Sequence, residues 1–323
     1  MSASDRVALS RLGWDDALAA AAAGVRATPN AEPGRVARVD RGWATVLTAD
    51  DAERAQLAGH VVTTGDWVLV ERGKIVALIP RRSAFVRGDA GDGRVRKPQV
   101  VAANVDLVFV VQSVNNGPNV RRLERELVLA FESGATPIVV LSKADLVPPE
   151  EAAEAIRAAR SAAADVEVVV TSAVTGTGLD RLRELAAPDR TVALIGASGV
   201  GKSRLVNELV GDSVQAVGAV READQRGRHT TTARELVELP GGGWLVDTPG
   251  LRSVALWDAD VGLARVFSDI EELAAKCKFG NCSHGAEPRC AVRAAIERGD
   301  LDPARYEHYV RLDAELDANA RGR

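Results

Sequence analysis

Hydrophobic and polar positions fall into two textures along this chain. Between residues 35 and 80 the apolar runs are short and close together, at 35–39, 43–48, 66–71 and 74–80. Asp40-Arg41-Gly42, Thr63-Thr64-Gly65 and Arg72-Gly73 separate them. Short strands at that spacing predict a small β-barrel, and an OB fold is the expected kind, either binding RNA or purely structural. A polar and alanine-rich lead precedes it, with a short helix at 17–23 and turn chemistry at 28–34. After Lys97-Pro98-Gln99 the pattern changes to alternation. Residues 105–111 are an unbroken apolar run, as a strand buried on both faces requires, and 120–132 carry Leu123, Leu127 and Ala130 at helical spacing. Strands at 137–141, 166–171 and 191–195 then alternate with helices at 150–160, 179–186 and 204–210, which predicts an α/β domain with a mostly parallel sheet covered on both faces. Residues 234–239 and 244–246, joined by Pro240-Gly241-Gly242-Gly243, make a hairpin. Beyond Trp257 the pattern is mostly helical. The texture thus divides the chain into a lead at 1–33, a barrel at 34–100, an α/β domain at 101–257 and a helical segment at 258–323.

Composition narrows the class. A chain of 323 residues has room for two or three domains, and 46% hydrophobic content with 4% aromatics points to cores of Val, Leu, Ala and Ile. No run approaches the ~18 apolar residues of a membrane span. Asp15 and Asp16, not basic residues, precede the alanine stretch, so it is no signal peptide and cytoplasmic residence is expected. The formal net charge of -4 announces no nucleic-acid partner, but Arg81, Arg82, Arg87, Arg94, Arg96 and Lys97 face only Asp89 and Asp92 in one glycine-containing loop. Such a loop either holds phosphates or is simply solvated.

The chemistry begins with Gly196-Ala197-Ser198-Gly199-Val200-Gly201-Lys202-Ser203, a complete G-x-x-x-x-G-K-[ST] phosphate loop set between a predicted strand and a predicted helix. In such a loop backbone N–H groups turn onto the phosphates, the lysine neutralises them and the serine hydroxyl ligates Mg²⁺. Four further segments stand around it. Asp247-Thr248-Pro249-Gly250 ends a strand and matches a D-x-x-G, its Asp reaching Mg²⁺ through water and its Gly N–H meeting the γ-phosphate. Ser142-Lys143-Ala144-Asp145 is similar to the N-K-x-D of GTPases, where the aspartate pairs with two guanine donors that adenine lacks. Thr171-Ser172-Ala173 is similar to the motif whose backbone supports the base. Thr230, Thr231 and Thr232 follow an arginine-rich loop as a switch I, one of their hydroxyls completing the Mg²⁺ shell. Each is weak alone, and together they specify GTP. Their order is unusual: the base-recognition segments precede the phosphate loop, so the domain is a circularly permuted P-loop GTPase opened at a surface connection.

All three cysteines fall in Cys277-x₄-Cys282-x-His284-x₅-Cys290. These four residues either close a tetrahedral Zn²⁺ shell or include reduced core thiols; the polar flanks Lys276, Lys278, Asn281 and Gly285 favour the metal.

From Leu12-Gly13-Trp14 through the permuted motifs and Gly227-Arg228-His229-Thr230-Thr231-Thr232 to the cysteine segment and Tyr306, the chain resembles the circularly permuted GTPases of the ribosome small subunit-dependent type. The resemblance implies an N-terminal OB fold, a central permuted GTPase domain and a C-terminal zinc-binding, mostly helical domain. It implies hydrolysis of GTP to GDP and phosphate, stimulated by the 30S subunit during its late maturation, with contact to 16S rRNA through the basic loop. Cys277, Cys282, His284 and Cys290 become the ligands of one structural zinc. A monomer is expected. Leu251 stands where many GTPases carry the water-orienting glutamine, so a slow intrinsic rate is expected, and the resemblance offers His229 as the internal substitute. Gly199 is not the asparagine of potassium-dependent GTPases, so potassium activation is not expected. Ser142 replaces the usual asparagine, and its shorter side chain is expected to lose a tether to the P-loop or a contact to the base, lowering affinity more than guanine selectivity.

Overall fold

A computed structural model describes residues 3–26, 28–88, 98–163, 165–211, 235–247, 259–285 and 287–321. Two short helices come first, α1 (Ala3–Ser10) and α2 (Asp16–Ala23), the second capped by the Asp15 carboxylate accepting from the Leu18 N–H at 2.8 Å. The lead packs into the core: Leu9, Trp14 and Leu18 are buried, and the Trp14 ring meets Trp67 edge-on with centroids 4.9 Å apart.

Five strands form the barrel, β1 (Glu32–Asp40), β2 (Trp43–Leu47), β3 (Ala52–Gln56), β4 (Trp67–Glu71) and β5 (Lys74–Leu78). They run in the order β1-β2-β3-β5-β4, and β4 returns to β1 to close the ring. The sequence pattern misses β3, whose Ala-Glu-Arg-Ala-Gln buries only Ala55 and offers no apolar alternation. It also misses a separate hairpin of β6 (Ala84–Gly88) and β7 (Pro98–Ala103).

The α/β part holds the parallel strands β8 (Leu107–Ser113), β9 (Thr136–Ser142), β10 (Val168–Val170), β11 (Thr191–Ile195) and β13 (Trp244–Asp247), with β12 (Glu235–Glu238) antiparallel to β13. Their spatial order is β10-β9-β8-β11-β13-β12. Among the described residues four helices cover the sheet, α3 (Val120–Glu132), α4 (Pro149–Ala162), α5 (Leu179–Ala186) and α6 (Lys202–Val210). Helix α3 starts where Asn119 accepts from the Arg122 N–H at 3.0 Å, and it buries Leu123, Leu127 and Ala130, the face its spacing predicts. Each such leucine contributes about 2 kcal/mol of burial.

One pairing joins the two parts. Arg38 of β1 stands opposite Glu235 of β12, so the barrel and the α/β sheet form one continuous hydrogen-bonded array of 11 strands. The C-terminal segment folds as α7 (Asp260–Val266), α8 (Ser268–Ala274), α9 (Ala291–Arg298) and α10 (Pro303–Arg321). Gly262 in α7 lies against α3 so closely that a Cβ there would stand 2.3 Å from the Val128 carbonyl oxygen. Among the described residues no helix is long and apolar enough to cross a membrane.

Candidate active site

The phosphate loop leaves β11 at Gly196, whose φ of +142° and lack of a side chain are both needed: a Cβ there would meet the Val111 carbonyl oxygen at 2.4 Å. Gly199 and Gly201 also have positive φ, at 81° and 100°, and α6 starts at Lys202, so its N-terminal N–H groups face the loop's concavity. The Lys202 ammonium lies across that concavity, donating to the carbonyls of Gly196 and Ala197 at 2.7 and 2.5 Å. Ser203 follows in the first helical turn.

Beside the loop, at the ends of the adjacent strands, sit the base-recognition segments. Lys143 takes the left-handed conformation at φ 62° and turns the chain into the short helix holding Asp145, while the Ala144 N–H donates to the Thr171 carbonyl at 3.0 Å. The Ser172 hydroxyl donates to Asp145 Oδ1 at 2.5 Å and accepts from the N–H groups of Val174 and Thr175, each at 3.1 Å. Ser172 therefore fixes the carboxylate as well as the backbone near Ala173. A cavity of about 210 Å³ opens between these segments and the start of α6, lined by Ser142, Lys143, Asp145, Ala173, Gly201 and Arg204. Arg204, with Leu146, Val174 and Leu205, was not visible as a site residue in the sequence, because only the fold brings the first turn of α6 to the edge of the base pocket. A larger cavity of about 430 Å³ lies between Phe131, Ala163, Arg265 and Asp302, and no residue of the motifs lines it.

Ser142 departs from expectation. Its Oγ lies 2.5 Å from the Val200 carbonyl in the phosphate loop and 3.1 Å from the Gln112 carbonyl. The tether to the P-loop is kept: β9 brings Ser142 close enough that the shorter hydroxyl reaches where a longer amide would otherwise be needed.

Asp247 closes β13, next to β11. Thr248, Pro249, Gly250 and Leu251 lie outside the described residues, as do His229, Thr230, Thr231 and Thr232 and the basic residues Arg94, Arg96 and Lys97. The segments that are described stand at the carboxyl ends of β9, β10, β11 and β13, the edge at which open α/β sheets bind ligands.

In the C-terminal segment the ligand atoms of Cys277, Cys282, His284 and Cys290 all lie within 4.8 Å of one another. Cys277 Sγ is 3.9 Å from Cys290 Sγ and 3.6 Å from His284 Nδ1, and Cys290 Sγ is 3.5 Å from the same nitrogen. Zinc bonds of ~2.3 Å to sulfur and ~2.0 Å to nitrogen give tetrahedral edges of about 3.5–3.8 Å, so the residues fit the ion. Burial pushes the Cys277 thiol up, but the N–H groups of Ala291 and Val292 together with the Cys282 and Cys290 thiols leave it below its ordinary value, whereas burial pushes Cys282 up to about 11. Cys290 also caps α9 through the Arg293 N–H, so the cluster is tied to a helix at its buried end.

A phosphate loop at the end of a central parallel strand, with a guanine-type pocket beside it and the motif order rotated, defines a circularly permuted P-loop GTPase. Residues 78–257 match the RsgA GTPase family. The chain is 46% identical to the small ribosomal subunit biogenesis GTPase RsgA of Streptomyces coelicolor, with 99% of this chain and 92% of the relative aligned, and 41% identical to the protein of that name from Opitutus terrae over 95% and 89%. The crystal structure of YjeQ from Thermotoga maritima superposes with a TM-score of 0.65 at 26% identity, covering 88% of this chain and 98% of that one. YloQ, described as a circularly permuted GTPase, shares the fold at a TM-score of 0.64, over 91% and 98%. The chain belongs to the RsgA GTPase family, and it is a GTP hydrolase.

Proposed function

We propose that this GTPase serves small-subunit biogenesis: it binds the 30S particle in its GTP form during late maturation, hydrolyses GTP to GDP and phosphate when docked, and then leaves. Relatives aligned over nearly the whole chain carry the name of that process. The observation that carries the reading is the continuity of the sheet. Strand β12, which follows the switch threonines directly in sequence, is paired with strand β1 of the barrel. A barrel seated on rRNA would therefore bear on the switch strand without an intervening linker.

Within that reading the division of the chain is a lead at 1–33, an RNA-facing OB barrel at 34–100, the GTPase domain at 101–257 and the zinc domain at 258–323. Lys202 neutralises the β- and γ-phosphates, the backbone from Gly196 to Gly201 cradles them, Asp145 selects guanine, and Lys143, Ala144, Ser172 and Ala173 frame the base. Ser203, Thr231 (or its neighbour Thr230 or Thr232) and, through water, Asp247 would hold Mg²⁺, which screens phosphate charge; Gly250 would meet the γ-phosphate. His229 orients water in place of the absent glutamine. In the basic 81–97 segment Arg81 is paired with Asp66 and Arg82 with Asp15, so contact with 16S rRNA falls to Arg87, Arg94, Arg96 and Lys97; one zinc ion closes the Cys277, Cys282, His284 and Cys290 cluster, and the protein works as a cytoplasmic monomer.

Steady-state turnover of GTP, with ATP as control, tests this in the absence and presence of purified 30S or 50S particles. Stimulation confined to GTP and 30S is expected. Equal, slow GTP turnover under all conditions would assign the enzyme to a different partner, and no turnover at all would reduce it to an RNA-binding barrel with a structural nucleotide site.

A further inference from the structure

The phosphate loop rests on the end of β8, which belongs to none of its motifs. Gln112, next to last in β8, is 3% exposed in a strand otherwise apolar from Leu107 to Val111. It faces two ways. Its carbonyl is 3.1 Å from the Ser142 hydroxyl, which in turn reaches the Val200 carbonyl inside the phosphate loop. Its side-chain amide donates to Glu126 Oε2, 2.7 Å away on α3. The preceding residue, Val111, supplies the carbonyl that leaves no room for a Cβ at Gly196. The backbone at 111–112 is thus the floor on which the loop starts, and its displacement would move the loop and the Ser142 tether together.

An apolar residue would fill the space at 112 at lower desolvation cost, so a buried amide there calls for a reason. Glu126 supplies the partner and stands in the field of Lys202, Arg122 and Arg125; burial nevertheless pushes its carboxyl up to about 7. The pair ties helix α3 to the end of β8, whose Gln112 carbonyl lies, like the Val200 carbonyl of the phosphate loop, within reach of the single Ser142 hydroxyl proton.

We propose that Gln112 and Glu126 are positioning residues for nucleotide binding, holding the end of β8 so that Ser142 and the phosphate loop keep one geometry. Neither touches the nucleotide. Their contribution is to affinity and not to the chemical step.

The test uses the full chain, with binding of a fluorescent GDP analogue and steady-state GTP turnover measured beside the thermal midpoint. Glu126→Leu and Gln112→Leu should each raise the GDP Kd and the GTP KM about 5- to 10-fold, with kcat within about twofold, the size of one lost hydrogen bond. Glu126→Gln retains an acceptor for the Gln112 amide and should remain within about twofold of the parent. Should the leucine variants fold poorly, Gln112→Glu places two carboxyls together and weakens binding, while adding Glu126→Gln reverses the pair and restores it. Wild-type affinity in folded leucine variants would overturn the proposal. So would a Glu126→Gln variant as weak as Glu126→Leu, or a double swap that fails to recover affinity.

Discussion

Ser142 illustrates how a single residue can depart from a motif and keep its role. Its hydroxyl makes the loop contact across 2.5 Å because parallel pairing of β8 with β9 sets Ser113 opposite Ser142 and delivers the side chain to the loop. Ser142→Ala should therefore weaken GDP binding about 5- to 10-fold while leaving the preference for GDP over ADP unchanged, since Asp145 and Ser172 are untouched. Competition of GDP and ADP for a fluorescent nucleotide reads both quantities, and a lost guanine preference would refute the assignment. Glu126 gives a second prediction at this scale. Its carboxyl rises from 4.5 to about 7 in the folded chain, so the folded state holds a proton that the unfolded state has released across that window. Stability from this group is full below about 4.5 and declines as pH rises to about 7. Glu126→Gln abolishes the decline, so its advantage over the parent should grow through the window and level off above it, on the order of 1–3 kcal/mol. Urea midpoints from pH 4 to 8 measure it; an offset constant with pH would contradict the sign.

Among the elements, α3 carries the most. One face supports the phosphate loop through Glu126, and another clamps the C-terminal segment. Glu124, 1% exposed, accepts from Arg305 Nη1 at 2.9 Å and lies 2.7 Å from His308 Nδ1, while Arg121 Nε stands 2.6 Å from His308 Nε2. Arg305 continues to Asp269, and Arg125 pairs with Glu315. Burial pushes the Glu124 carboxyl up and its two partners pull it back, the balance of a charge that is tolerated only in company. Glu124→Ala leaves His308 and one arm of Arg305 without an acceptor and should cost about 3–5 kcal/mol, seen as a lower thermal midpoint; a loss under about 1 kcal/mol would show that the pair is solvated. The helix itself was legible in the sequence, because Leu123, Leu127 and Ala130 recur at its period. Its polar partners were not, since Glu124 and Arg305 are 181 residues apart and nothing local marks either as buried. The same reasoning separates β8 to β11, apolar enough to read from composition, from β3 and from the β1–β12 pairing, which depend on contacts distant in sequence. The phosphate loop and cysteine cluster were readable because their chemistry sits in consecutive residues; Gln112, Glu126 and Arg204 join the site only through the fold.

At the scale of the whole molecule the two flanking regions are attached by different physics. The barrel shares a sheet with the GTPase part, and Arg35, 1% exposed, fastens the joint. Its guanidinium donates to the Leu12 carbonyl in the lead, to the Thr191 hydroxyl at the start of the phosphate-loop strand and to the Asn104 carbonyl at 3.2 Å, and it lies 5.5 Å from the Trp67 ring centroid. Burial lowers its pKa to about 10, still far enough above neutrality to keep the charge. The C-terminal segment is instead docked on α3 by apolar packing of Val266, Phe267 and Leu312 and by ion pairs, and it carries a cysteine cluster whose loop, from Lys276 to Arg289, is polar and has little apolar surface to bury. A metal there would substitute for a core. Treatment with a strong zinc chelator should accordingly strip hydrogen-exchange protection from α9 and the 276–289 loop first, because Cys290 belongs to the cluster and also caps that helix. Protection in β1, β11 and β12 should persist, and GDP affinity should change less than about twofold, since none of the cluster touches the nucleotide pocket. Arg35→Ala should do the reverse, loosening the barrel and β11 together while the chelator-sensitive segment keeps its protection. Simultaneous loss of protection in barrel, GTPase part and C-terminal segment on chelation would mean that the metal holds the whole molecule, and the distinction between a fused barrel and a clamped tail would fail.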